Sequence, residues 1–545
     1  MGDRGWLGPP DGVSRRGFLQ GVGVGGAAIA GSGVLAACGG GGKASTGGAP
    51  VASGSGNAAT PGNPRKGGTL RVAMIGNGTG ETANPNIVST PIDTLRVAAI
   101  FDPMIRPAPG HKREPGLVVD WSRNDDATVW ELKLRPDVTW HDGSPLTPED
   151  LIYTLRTFGA KGSFGANAVS YINLRDVKKV GPLTVRVPLQ RPVADLGAYF
   201  IYVNSTWVIK DGTKDFRKPV GTGPYKVVSF VPGQRMVAEA NREYWDSPKP
   251  YPDRFELVSI DDPTARLNAL TSGEIDIAMG IPYATARANL NSKAYRVVVG
   301  SPGASFTFYM AVDSPAFRDP KVRQAMKLIP DRQAMINSAL AGFGAPGRDL
   351  LALGVKYFNS ELPPREQDIE KAKSLLKAAG ASDLRVTLHT GEVLPGFNDA
   401  AAVFAQQAKA AGVQINVKRE QIAQYFNPAL LYLKMAFAQD SWPGASLNAS
   451  YSLQYPKGAP FNETHWNDPS WEALLNKAEA ATDEAQAAEL WNQVQKVLYD
   501  NGGQIVWANQ RTTDAASNKV RGYGAEGSGW LYGSDDDRIW NWGLA

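Results

Sequence analysis

From residue 67 onward, the pattern of apolar and polar residues is that of a folded protein. The two kinds of residue alternate in short runs: TLRVAM at 69–74, VWELKL at 129–134, LTVRVPL at 183–189 and EIDIAM at 274–279. Because successive side chains of a strand point to opposite faces, this alternation predicts β-strands with one face more deeply buried than the other.

Longer segments repeat apolar residues with helical spacing and carry signals for helix ends. Thr147 stands before Pro148 and two acidic residues, which is a typical helix start, and Gly273 follows the last apolar position of another helix. Helices are predicted at 147–158, 262–273, 368–379, 469–481 and 483–499. Strands and helices together predict an α/β fold, and no internal repeat or low-complexity segment follows residue 68.

The first 37 residues support two interpretations. Gly21, Gly23 and Gly26 form G-x-G-x-x-G, the pattern of a dinucleotide-binding loop, but no strand precedes them. The paired Arg15 and Arg16, a short uncharged run and small residues before a break form the layout of a twin-arginine export signal. The run is short and rich in glycine, which argues against a permanent membrane span. We therefore expect residues 1–37 to be a signal peptide.

Cys38 is the only cysteine in the chain, so no intramolecular disulfide can form. It follows Leu-Ala-Ala, and this stretch resembles the lipobox of bacterial lipoproteins, whose cysteine is acylated after cleavage. A buried free cysteine is the alternative, but the surrounding glycines offer nothing to bury it. Residues 39–66 are Gly, Ser, Ala, Thr and Pro with few large apolar side chains, which predicts a flexible tether. We expect an extracytoplasmic folded body that is lipid-anchored to the cell membrane, on its outer face or its periplasmic side.

Composition and motifs exclude several classes of function. The net charge of +4 is small for 545 residues, and the absence of a basic run argues against a nucleic-acid partner. The folded part contains no G-x-S-x-G and no phosphate-binding loop, and its four histidines are isolated in the sequence. We expect no catalytic residues, no metal site and no cofactor, so the protein is not predicted to be an enzyme.

Several blocks resemble, in order, the family 5 extracellular solute-binding proteins of ABC transporters, the peptide, dipeptide and nickel group. They include LRPDVTWHDGSPLTPEDLIY, GTGPYKVVSF, NREYWDSPKPYPDRFELVSI, LNALTSGEIDIAMGIP and AFRDPKVRQAMKLIPDR. The resemblance covers about residues 67–523. It implies two lobes of the periplasmic-binding-protein type II that close on a ligand, with an extra α/β domain beside the first lobe. The implied bounds are 67–103, 190–290 and 500–545 for lobe I, 104–189 for the extra domain, and 291–499 for lobe II.

The resemblance also implies where a ligand would bind. In peptide-binding relatives, a segment after the Asn-Pro region and a segment around a tryptophan pair with the peptide main chain. The first corresponds here to residues 87–90, which include Ser89 and Thr90. The second is FAQDSWPGASLN around Trp442. For each of these positions, the alternative to a ligand contact is that the residue belongs to the core or to a loop.

The second segment departs from the family pattern. Relatives carry an aspartate three residues after the tryptophan that binds the free amino group of the ligand, but Ala445 stands here. Asp440 could substitute, although two residues along a strand shift a side chain by about 7 Å. Pro443 has no N–H and would remove one hydrogen bond to a ligand. Phe308 and Tyr309 are candidate apolar walls, with burial in the core as the equal alternative.

The predicted function is that of an extracytoplasmic solute receptor of an ABC importer. The solute is expected to be a peptide or peptide-like compound, and the partners are the permease subunits and the membrane, with the protein itself a monomer. A glycoside, an opine-like solute or a nickel chelate is the alternative ligand because of Ala445. An exported lipoprotein hydrolase and a sensory or scaffolding lipoprotein are the alternative functions.

Overall fold

The computed structural model describes most of the chain after the predicted tether, namely residues 63–88, 90–108, 112–160, 163, 166, 169–200, 207–391, 394–426, 430–444, 446–524 and 539–545. The predicted export signal with Arg15 and Arg16, the predicted lipidation site Cys38, and the candidate ligand residues Ser89 and Ala445 lie outside these residues. Within the described ranges, no helix has both the length and the apolar character needed to cross a membrane.

The strands are, in chain order, β1 (Thr69–Met74), β2 (Ile105–Ala108), β3 (Lys112–Pro115), β4 (Val118–Arg123), β5 (Val129–Leu134), β6 (Lys178–Gly181), β7 (Thr184–Pro188), β8 (Tyr225–Val231), β9 (Arg235–Ala240), β10 (Arg254–Ser259), β11 (Ile277–Ala278), β12 (Arg296–Val299), β13 (Ser305–Met310), β14 (Gly344–Pro346), β15 (Arg385–Thr390), β16 (Gln414–Arg419), β17 (Phe437–Trp442), β18 (Gln504–Gln510), β19 (Thr513–Ala516), β20 (Val520–Arg521) and β21 (Gly543–Leu544).

The α-helices are α1 (Pro91–Ile100), α2 (Pro148–Phe158), α3 (Gly197–Phe200), α4 (Pro263–Ser272), α5 (Tyr283–Ala288), α6 (Pro320–Leu328), α7 (Arg332–Ala339), α8 (Ile369–Ala378), α9 (Phe397–Ala408), α10 (Ile422–Tyr425), α11 (Leu447–Ser452), α12 (Pro469–Ala480) and α13 (Glu484–Asn501). The mixed α/β class and the helices predicted from their caps are confirmed. Thr147 and Asp150 form a capping box at α2, and Gly273 ends α4 with a positive φ of 82°, which favours glycine.

Three sheets organise the body. Lobe I is built on a seven-stranded sheet in the order β12-β19-β11-β1-β10-β9-β8, and lobe II on a six-stranded sheet in the order β14-β18-β13-β17-β15-β16. The extra domain is built on the four-stranded sheet β4-β5-β7-β6, with α2 packed against β6 and β7. The central strands β13, β17 and β18 of lobe II are buried on both faces, whereas β4, β5 and β7 of the extra domain alternate between buried and more exposed residues.

Sheet pairing bears on two of the predicted boundaries, and the packing of buried side chains bears on a third. β12 pairs with β19 in lobe I, although the change of lobe was predicted at 290–291, and β18 pairs with β13 in lobe II, although that change was predicted at 499–500. Residues 193–200 contribute to the apolar core of the extra domain, which was predicted to end at 189. Each of the three points lies at or near the end of a helix or strand, and the local pattern there does not reveal which sheet the next strand joins.

Among the described strands, the chain passes between lobe I and lobe II twice, through residues 300–304 and 511–512. We call these two segments the crossings. They lie side by side, since the amide of Gly300 donates to the carbonyl of Thr512 at 3.0 Å and that of Gly303 to Gln510 at 2.8 Å. The backbone of lobe II is therefore connected to lobe I by two adjacent segments that are hydrogen-bonded to each other.

A buried polar network joins the extra domain to lobe I. The carboxylate of Asp102 accepts from Arg106 at 2.9 Å, from the Tyr244 hydroxyl at 2.7 Å, and from Trp245 Nε1 and Thr222 Oγ1 at 3.0 Å each. Asp102 lies just before the start of the extra domain and Arg106 just after it. Thr222, Tyr244 and Trp245 follow the end of the extra domain in the sequence. This Asp102 network fixes the extra domain to lobe I.

Candidate ligand-binding site

The strand predicted to pair with a ligand in lobe II is β17, which lies between β13 and β15. It runs antiparallel to β13, with Trp442 opposite Ser305 and Asp440 opposite Thr307. Trp442 ends the strand and is largely buried. Its ring packs on Phe461 with the ring centres 5.5 Å apart, and its Nε1 donates to Glu463 at 3.3 Å.

Two buried carboxyl groups lie next to each other beneath Trp442. Asp440 and Glu463 are hydrogen-bonded through their side chains, and Glu463 also accepts from the Tyr432 hydroxyl at 3.0 Å. Burial raises the pKa of Asp440 to about 6. Burial and the neighbouring Asp440 raise the pKa of Glu463 well above its ordinary value. Two like charges this close in a dry site are disfavoured, so the pair holds a proton near neutral pH.

This arrangement bears on the prediction that Asp440 replaces the missing amine-binding aspartate. Its side chain is turned toward Glu463, and only 6% of the residue is exposed. In this structure the carboxylate is therefore occupied within lobe II, and its role toward a ligand stays a prediction.

Replacing Glu463 by glutamine should change how stability depends on pH. The pKa of Asp440 is higher in the folded state than in the unfolded chain, so the folded state binds more protons and wild-type stability falls as pH rises from about 4 through 6. The pKa of Glu463 is also raised by burial and by Asp440, and because this group no longer titrates in Glu463→Gln, the loss should shrink; we expect the variant to gain on the order of 1–2 kcal/mol relative to wild type between pH 4.5 and 8.

Urea unfolding at pH 4.5, 6 and 8 measures this difference. Glu370→Gln, which removes an exposed carboxylate of α8, is the matched control and should follow wild type at every pH. A constant difference between Glu463→Gln and wild type across the three values would contradict the shared proton.

The candidate walls Phe308 and Tyr309 lie in the core of lobe II, which corrects their assignment to a ligand pocket. Phe308 stacks on Phe404 with the ring centres 4.7 Å apart, and Tyr309 packs in a separate buried cluster with Tyr425 and Met435. Every residue of β13 is buried, because neighbouring strands flank it and both of its faces are covered.

The corresponding segment of lobe I leads into α1. Thr90 is the N-cap of this helix, and its hydroxyl donates to Asp93 at 2.7 Å and accepts from the Asp93 amide at 3.4 Å. Ile87 stands 51% exposed, whereas Val88 is buried. A surface-exposed apolar side chain beside the helix start is available for contact with a ligand, and Thr90 has a structural role as a cap.

A buried ionic triad holds this segment in place, and it was not anticipated from the sequence. Arg96 is paired with Glu81 at 2.6 Å and with Asp93, and all three side chains are almost fully buried. Arg96 also donates to the carbonyl of Thr82 at 2.9 Å, and Asp93 accepts from the Thr82 amide at 2.9 Å. The Arg96 triad therefore anchors both ends of the loop that leads to the candidate ligand residues. The one signal in the sequence is the pair of charged residues Asp93 and Arg96, three positions apart in the mainly apolar helix PIDTLRVAAI.

Within the part of the chain that the structure describes, no group of three or more His, Cys, Asp or Glu residues could hold a metal ion. The described histidines make local contacts. His389 lies 2.7 Å from Glu420, His465 lies 2.8 Å from Asp313, and His141 Nε2 lies 3.0 Å from the carbonyl of Gly223.

Comparison with known proteins identifies the family. The model of the bacterial extracellular solute-binding proteins, family 5 middle region, matches residues 112–504. The dipeptide-binding protein of Escherichia coli K12 is 24% identical over 446 residues, which cover 75% of this chain and 83% of that protein.

Solved structures share the fold. The ABC transporter substrate-binding protein CtaP from Listeria monocytogenes has a TM-score of 0.76 at 23% identity, covering 88% of this chain and 100% of the other. NikZ from Campylobacter jejuni, solved in complex with Ni(L-His), has a TM-score of 0.72 at 18% identity, covering 87% and 99%. With the family match spanning more than half of its length, the chain belongs to the family 5 bacterial extracellular solute-binding proteins.

Proposed function

We propose that this protein is the extracytoplasmic solute receptor of an ABC importer. It captures a peptide or peptide-like solute between lobe I and lobe II and delivers it to the permease subunits. The protein acts by binding rather than by catalysis, needs no cofactor, and works as a monomer.

The observation that carries this proposal is the pair of crossings between the lobes. Two adjacent segments with few residues allow lobe II to rotate as a body against the rest of the chain, as hinge-closing binding proteins require. A solute that touches both lobes stabilises the closed form by the contacts it makes across them.

A peptide-like solute is favoured by the position of β17 and by the relatives. β17 ends at Trp442, and the backbone that follows it can pair with an extended ligand. The similarity to the dipeptide-binding protein of Escherichia coli supports the same solute class.

A non-peptide solute is the second candidate, and a specific observation favours it. Asp440 is buried against Glu463, and Ala445 stands where peptide-binding relatives have an aspartate, so no carboxylate is assigned to a free amino group. A glycoside, an opine-like compound or a nickel chelate would not need one. The structural neighbour NikZ holds a nickel chelate in the same fold.

We also propose that the receptor is exported by its twin-arginine signal and anchored through acylated Cys38. The tether of residues 39–66 would hold the body near the membrane within reach of the permease. Mass spectrometry of the mature N-terminal peptide checks this, and an unmodified Cys38 would contradict it.

Solute binding is tested by thermal unfolding with panels of di- to pentapeptides, glycosides, opine-like compounds and nickel–histidine. At a hundredfold excess over its dissociation constant, a true solute should stabilise the protein by about 2.7 kcal/mol and be recovered chemically unchanged. Conversion of the compound would indicate an enzyme, and the absence of stabilisation by all four classes would contradict the proposal.

A further inference from the structure

Glu479 of lobe II has its side chain buried among groups of the extra domain. The carboxylate forms an ion pair with Arg191 and accepts a hydrogen bond from the Tyr199 hydroxyl. Within lobe II it also accepts from the Ser452 hydroxyl. Arg191 in turn donates to the Tyr199 hydroxyl at 3.1 Å, so the groups form a closed network.

Backbone and apolar contacts surround this network. The amide of Ala194 in the extra domain donates to the carbonyl of Glu479 at 2.7 Å, and the Ser446 hydroxyl of lobe II donates to the carbonyl of Ala198 at 2.8 Å. Ala449 and Leu453 of lobe II belong to the same apolar cluster as the core of the extra domain. The contact therefore has an apolar centre together with satisfied polar groups, as a specific interface does.

The chain path makes this interface breakable by the motion that opens the cleft. Lobe II runs from β13 to β18 and joins the rest of the body through the two crossings, whereas the Asp102 network holds the extra domain to lobe I. Rotation about the crossings would separate Glu479 from Arg191 and Tyr199 without breaking either lobe. The interface includes neither Trp442 nor the loop at Ile87, which are the candidate ligand contacts.

We propose that Glu479, Arg191 and Tyr199 form a latch that stabilises the closed form without help from the solute. The inference rests on the proposed closure of the lobes and deepens it. The latch raises the fraction of empty receptor that is closed, and the affinity for any solute rises in proportion to that fraction. Opening exposes the carboxylate and the guanidinium to water, where both are well solvated, so the latch can release.

The test uses full-length protein stripped of solute by unfolding and refolding. In Glu479→Gln we expect the amide of Ala194 to exchange with deuterium at least tenfold faster, and the radius of gyration from X-ray scattering to rise. Tyr199→Phe removes one latch hydroxyl without a change of charge and should shift both readouts in the same direction by less. Glu489→Gln, which neutralises an exposed carboxylate of α13 bonded to Gln493, is the matched control and should match wild type.

The outcomes separate the latch from the receptor function. Faster exchange at 190–200 together with an increased radius supports the latch, provided that exchange in β13 and β18 is unchanged. An unchanged radius in both Glu479→Gln and Tyr199→Phe overturns it, as does faster exchange throughout lobe II. The latch is tested without solute. Neither result therefore decides whether the protein binds a solute, which the thermal unfolding measurements test separately.

Discussion

Replacing Arg96 by methionine is expected to destabilise the protein by about 3–5 kcal/mol, since two buried carboxylates would lose their shared cation. Arg96 lies between Glu81 and Asp93, and its guanidinium also stacks on the Phe230 ring, 4.2 Å from the ring centre. The methionine side chain keeps much of the volume, so the loss reports the charge and the hydrogen bonds rather than a cavity.

Urea unfolding followed by circular dichroism measures this loss. Arg242→Met, which breaks an exposed pair with Asp253, should cost less than about 1 kcal/mol. Adding Glu81→Gln and Asp93→Asn to Arg96→Met removes the uncompensated charges and should recover part of the stability. A loss below about 1 kcal/mol for Arg96→Met alone would show that the triad does not anchor the loop.

Asp102→Ala should have an effect of similar size, about 3–5 kcal/mol, because three buried donors and the half-buried Trp245 lose one acceptor. The most costly of these is Arg106, which keeps its charge in a buried site, although Asp246 still pairs with it at 2.6 Å. Since the Asp102 network joins the extra domain to lobe I, the loss should also uncouple these two parts.

Uncoupling is visible when unfolding is followed by both tryptophan fluorescence and circular dichroism, since Trp245 belongs to the network. In Asp102→Ala the transition seen by fluorescence should precede the transition seen by circular dichroism, whereas in wild type the two transitions should coincide. Asp215→Ala, which removes an exposed partner of Arg217, serves as the control and should leave both midpoints in place. Coincident and unshifted transitions in Asp102→Ala would contradict a joining role.

Local signals in the sequence predict much of the fold. The cap at Thr147, the αL glycine at Gly273 and the alternation in TLRVAM each depend on a few neighbouring residues, and the structure has the elements where these signals place them. Local pattern does not distinguish one lobe's sheet from another's, so it does not reveal that β12 pairs with β19 and β18 with β13 near the predicted boundaries at 290 and 499. The resemblance to a family supplied the two-lobed arrangement, which no local signal contains.

The candidate site was less accessible to sequence reasoning, since its contacts join distant residues. Ser259 donates to Glu81 across 178 positions, and Trp442 donates to Glu463 across 21. Asp440 and Glu463 each look like an ordinary surface acid in the sequence, and only folding brings them together in a dry environment. Phe308 and Tyr309 show the converse, because an aromatic run gives no indication of whether it lines a pocket or fills a core.

Closure of the two lobes on a solute is tested most directly by X-ray scattering of the full-length protein with and without its solute, which mass spectrometry of the co-purifying compound identifies. Adding this solute to stripped protein should lower the radius of gyration, as lobe II rotates about the crossings toward lobe I. A radius that stays constant while the solute demonstrably binds would contradict closure of the two lobes on the ligand.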